Sequence, residues 1–116
     1  MTLRITEDLL RSTYDMLNCC GPSTEWNLPD GEDVRFIVSR SREHYGQYGL
    51  WGGKHFIEVS SAKCGHLTTV IYTVAHEMCH LTIEEQGLRD SAKHGPAFRK
   101  LAARVSAHLG FDPKMF

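Results

Sequence analysis

Two histidines four residues apart with a glutamate beside the first, His76-Glu77-Met78-Cys79-His80, make a set able to hold a transition metal and move a proton next to it. On an α-helix, residues i and i+4 lie about 40° apart around the axis, so both imidazoles reach one ion from the same face. Glu77 leaves the helix at the neighbouring edge of that face, near enough to take a proton from a water at the metal without ligating the ion itself. The chemistry this spacing points to is zinc-assisted hydrolysis, with Glu77 as the base and His76 and His80 as two ligands. The competing reading is a pair of partly buried helix histidines satisfied by nearby carboxylates. The metal reading gains where the motif falls on an independently expected helix and a third donor follows it.

Catalytic zinc takes three protein ligands and keeps one place for water. No glutamate follows Glu85, which removes a downstream Glu ligand, and Glu84 and Glu85 sit too close along the same helix to turn back. The extended pattern with Gly and a third His at the third and sixth positions after the second His is absent, because Ile83 and Gln86 stand there. Asp90, His94, His108 and Asp112 remain. His94 is preferred because it precedes Gly95-Pro96, where a loop entering the next helix can turn the imidazole back onto the metal helix. The expected set is therefore one zinc ion on His76, His80 and His94. His108 reads as a surface residue.

The elements that must position this set are legible from periodicity. Leu67, Val70, Ile71, Val74, Met78 and Leu81 form a helical apolar stripe from about His66 to a stop at Gly87, so the motif lies on a helix predicted without reference to it. Met78 and Cys79 are expected to face away from the metal. Pro96 suits the first turn of a last helix, in which Phe98, Leu101, Ala102, Val105 and Leu109 share a face before Gly110 and a capping Phe111. Ahead of the motif, Thr6 can cap a first helix carrying Leu10, Tyr14 and Leu17 until Gly21-Pro22 ends it. Residues 21–33 read as a loop, pinned to the core by Trp26 and Leu28. The alternation at Val34, Phe36 and Val38 predicts a strand, and residues 44–51 and 54–60 flank Gly52-Gly53 as a hairpin. The order helix, three strands, helix, helix predicts an α+β fold with a three-stranded antiparallel or mixed sheet, as a single domain over residues 1–116.

Composition narrows the function classes. The chain has 116 residues, 41% of them hydrophobic, with 13 Lys and Arg against 14 Asp and Glu and a formal net charge of -1, so no global charge draws it to nucleic acid or to a membrane surface. The start of the chain has no apolar signal region and no apolar run approaches membrane length, so a soluble, cytoplasmic protein with no membrane partner is expected. The four cysteines, Cys19, Cys20, Cys64 and Cys79, form no C-x-x-C pair and read as reduced thiols. On the hairpin, Tyr45, Tyr48 and Trp51 read as packing residues more than as a peptide or base contact. The arginines and lysines around them read as solvated.

The metal motif His76-Glu77-Met78-Cys79-His80-Leu81 and, after thirteen residues intervening between His80 and His94, His94-Gly95-Pro96-Ala97-Phe98 resemble the SprT-like family of zinc peptidases. The resemblance runs over most of the chain from about residue 34, including Ile57-Glu58-Val59-Ser60 and the closing segment to Phe111. It implies a zincin-like domain, zinc on His76, His80 and His94, a catalytic Glu77, and hydrolysis of protein or peptide substrates. It also implies a link to single-stranded DNA or to DNA-bound and DNA-crosslinked proteins, although the C-terminal zinc ribbon of many members has no counterpart after Cys79. The alternative is a non-proteolytic zinc-containing adaptor that binds DNA or a DNA-bound protein.

Overall fold

The computed structural model describes residues 4–20, 26–88 and 93–112. The stop expected at Gly21-Pro22 lies outside them. The first helix, α1 (Glu7–Cys20), begins where Thr6 Oγ1 accepts the Leu9 amide at 3.1 Å, with Glu7 and Asp8 in the first turn complementing the helix dipole. Leu10, Tyr14 and Leu17 are buried along one stripe. Tyr14 donates its hydroxyl to the Pro29 carbonyl at 2.7 Å and meets Phe36 edge-on, with ring centroids 5.5 Å apart. The Gly31 amide donates to Asp15 at 3.1 Å. These bonds fasten the 26–33 segment, including the buried Trp26 and Leu28 and an unanticipated 3-10 turn at Gly31–Asp33, onto α1.

Three strands follow, β1 (Arg35–Ser39), β2 (Gly46–Trp51) and β3 (Lys54–Ser60). Their order is β1-β3-β2, with β1 parallel and β2 antiparallel to β3, so the sheet is mixed. Gly52 and Gly53, at φ 60° and 78°, make the hairpin turn in the left-handed region that residues with a Cβ seldom enter. Phe36, Ile57, Val59 and Tyr48 point to the helices and join the core.

The second helix, α2 (Leu67–Glu85), packs against α1, β2 and β3 and against the last helix, α3 (Pro96–Leu109). Val70, Val74, Met78 and Leu81 are buried, each contributing roughly 1.5–3 kcal/mol by leaving water. Leu67 corrects the expected stripe: it sits in the first turn and is 49% exposed, because the helix starts beyond the edge of the core. α2 ends in a Schellman motif, with Gly87 at φ 65°, its amide on the Glu84 carbonyl and the Leu88 amide on the Ile83 carbonyl at 2.9 Å. α3 ends the same way at Gly110, with the Phe111 amide on the Ser106 carbonyl at 2.9 Å. Phe111 packs edge-on against Tyr72 of α2 at 5.5 Å, which ties the two helices together at that end. No helix among the described residues is long and apolar enough to cross a membrane.

Candidate metal centre

His76 and His80 stand one turn apart on α2, and the turn at residues 93–94 brings His94 over them. Centroid separations are 5.2 Å for His76 and His80 and 5.1 Å from His94 to each of the other two. One ring nitrogen from each lies within 4.8 Å of the others, and among the described residues this trio is the group able to hold a metal ion. A tetrahedral zinc with bonds of about 2.1 Å needs nitrogens roughly 3.4 Å apart, which small rotations of the imidazoles supply. His80 Nε2 is buried without a hydrogen-bond partner among the described residues, a costly arrangement for a ring nitrogen unless an ion completes it. The donor set therefore fits a metal.

Chain geometry explains why His94 is in place. Gly95 is buried and extended, Pro96 starts α3, and Arg99 Nε donates to the His94 carbonyl at 3.1 Å, which holds the turn against the helix start. Of the other third-donor candidates, His108 is exposed on the last turn of α3 and Asp112 is exposed beyond it, both outside the trio. Asp90 lies outside the described residues. Met78 and Cys79 face the core at 2% and 0% exposure, as expected, and burial pushes the Cys79 thiol well up.

Glu77 is buried beside the imidazoles. Burial raises its carboxyl to about 7, with the Lys93 ammonium working against the rise. Burial first, and then His94 and Lys93, lowers His76 to about 4; burial, His76, His94 and Lys93 lower His80 to about 3. His94 is lowered by burial, Lys93 and Arg99. All three rings are thus held neutral near pH 7, the form a metal requires.

These shifts set the pH response of the metal-free protein. The unfolded chain takes up protons on His76 and His80 near 6.5 that the fold refuses down to about 4. Glu77 acts the other way, since the fold keeps its proton up to about 7 and the unfolded chain releases it near 4.5. Two histidines against one carboxyl leave a net proton uptake on unfolding below 6.5, so stability should fall as pH is lowered from there. Melting of chelator-treated protein at pH 6.5 and pH 5 checks this; a melting temperature that holds or rises at pH 5 contradicts it.

The trio and Glu77 line a cleft of about 260 Å³. Tyr72 and Thr73 of α2 form one wall, one turn before His76 and Glu77, a placement that helical spacing alone could have revealed. His44 and Tyr45, just before β2, and Gly46, its first residue, also line the cleft, as does the exposed Lys93. Gly46 was not legible as a site residue. A Cβ there would meet Thr73 Cγ2 at 2.5 Å, the Glu58 carbonyl at 2.9 Å and Glu77 Oε2 at 3.2 Å, so a glycine lets the strand come up against the buried carboxylate. The segment before it is anchored by the Ser60 amide on the Tyr45 carbonyl at 2.8 Å and the Ser61 amide on the Ser39 carbonyl at 2.8 Å. Of the three hairpin aromatics, Tyr45 alone lines this cleft. Tyr48 hydrogen-bonds His55 Nδ1 at 2.6 Å, and the exposed Trp51 stacks with Arg35 at 5.7 Å on the outer sheet face.

A model of the SprT-like family matches residues 13–115 of the chain, a span that takes in all three strands, α2, α3 and the histidine trio. Among curated proteins, none matches it closely enough to count as a relative.

Proposed function

The chain belongs to the SprT-like family, and from that premise we propose that it is a zinc-dependent endopeptidase. His76, His80 and His94 hold one zinc ion and Glu77 is the catalytic base. The observation that carries this reading is the convergence of three neutral imidazoles to within 4.8 Å, with a buried carboxyl on the same helix beside them. The group of donors has three members among the described residues, which supports an open catalytic site over a structural one closed by a fourth ligand.

Zinc in this position would polarise the scissile carbonyl and make a water acidic enough to attack near neutral pH. Glu77 accepts the proton of that water and returns it to the leaving amine. With a divalent charge close by, the Glu77 carboxyl holds its proton less tightly than the value of about 7 it has without metal, so it is ionised when the base is needed. Burial of the carboxyl keeps bulk water from competing for that proton. DNA-bound or DNA-crosslinked proteins are the narrower substrate class that family membership suggests.

The test is elemental analysis of the purified protein paired with cleavage of an unfolded protein substrate. One zinc per chain and cleavage that stops on chelation and returns on adding zinc are expected. Cleavage that survives complete metal removal would overturn the reading.

A further inference from the structure

We propose that Phe98 is a positioning residue for the metal, a shared aromatic floor that aims the three imidazoles at one ion and grips them harder once the ion is bound. The inference rests on the zinc reading above. Phe98 is 3% exposed, in the first turn of α3 and four residues after His94. Its ring centroid lies 4.4 Å from that of His80 in a stacked arrangement at 27°, 4.6 Å from His94 at 41° and 5.0 Å from His76 at 60°. A core phenylalanine on a helix–helix seam ordinarily meets aliphatic side chains. This one touches every member of the trio.

Two consequences follow from that placement. An imidazole has two side-chain torsions, and the ring stacked on His80, tilted against His94 and edge-on to His76 restricts the rotations that would swing their nitrogens away from a common centre. Phe98 and His94 also leave the same end of α3, so docking of that end on α2 sets the floor and the third ligand together. The second consequence is electronic. An imidazole that donates its lone pair to a dication becomes electron-poor across the whole ring, and the face of a benzene ring is the negative pole of its quadrupole. The contact is therefore stronger in the zinc-loaded protein than in the metal-free one. Phe98 adds to zinc affinity over and above what it adds to the fold.

Two replacements separate that role from plain packing. Phe98→Leu keeps a buried apolar side chain without a π face, and pentafluorophenylalanine at the same position keeps the ring's shape while reversing its quadrupole. Zinc affinity is measured by chelator competition, with the visible spectrum of the cobalt-loaded protein as a report on ligand geometry and melting of the metal-free protein as the control for folding. Phe98→Leu is expected to weaken zinc about 10- to 100-fold, the range found when partners that orient metal ligands are removed, and to alter the cobalt spectrum. The fluorinated ring is expected to weaken zinc with little change in metal-free melting. Wild-type affinity and an unchanged cobalt spectrum in Phe98→Leu would overturn the inference alone, and so would wild-type affinity in the fluorinated protein if Phe98→Leu does not fold. A wild-type chain that takes up no zinc would sink the underlying reading and this inference with it.

Discussion

Glu77→Gln is expected to leave zinc content unchanged and to cut peptide-bond hydrolysis by about 100- to 10,000-fold, the range attributed to a positioned general base. The two side chains have nearly the same volume and shape. That matters because Glu77 is 5% exposed and wedged near Thr73 and the backbone of Gly46, where a change of size would disturb the packing. An amide cannot accept the proton of the attacking water, so the variant removes one step of chemistry from an otherwise intact cleft. The metal-free variant should also depend more steeply on pH between 4.5 and 6.5, because the carboxyl whose raised value of about 7 opposed the two histidines is gone. Elemental analysis, steady-state cleavage rates and melting at two pH values read the three effects separately. Wild-type cleavage by the variant would strike Glu77 from the mechanism. A wild-type protein that binds zinc yet hydrolyses nothing would favour the adaptor role.

Much of the scaffold could be read from local spacing because local physics decides it. The i, i+4 histidines demand a helix, and the stripe from Val70 to Leu81 supplies one. The stops at Gly87 and Gly110 work through the backbone conformation of single residues, and the hairpin turns on two adjacent glycines. What was not legible depends on which distant segments meet. The alternation at Val34, Phe36 and Val38 says that a strand exists but not that its neighbour is β3, in parallel. Periodicity alone assigns Leu67 to the core stripe because it cannot tell where the helix leaves the sheet. Gly46 looks in sequence like a weak point in a strand, and its importance appears only when the strand is seen against Glu77. The same holds for Phe98, which periodicity places on an apolar helix face without saying that the face it meets is made of imidazoles.

His94→Ala is expected to weaken zinc by more than about 100-fold, since losing a ligand should cost at least as much as losing a residue that merely orients one. His108→Ala is expected to leave zinc affinity within about twofold of wild type. The pair is informative because both histidines are exposed and both belong to the α3 region, so general damage to that helix would show in both. His94 packs against His76, His80 and Phe98 whereas His108 is exposed on the last turn of α3, so each variant is compared with its own metal-free melting temperature. The difference appears on adding zinc. An ion that binds the fold and not the unfolded chain raises stability in proportion to the logarithm of its concentration over its dissociation constant. Wild type and His108→Ala should thus gain melting temperature with zinc, and His94→Ala should gain little. If all three proteins gain equally, the third donor is not His94 and the role passes to Asp90 or Asp112. The turn at Gly95-Pro96 would then serve to start α3 and nothing more.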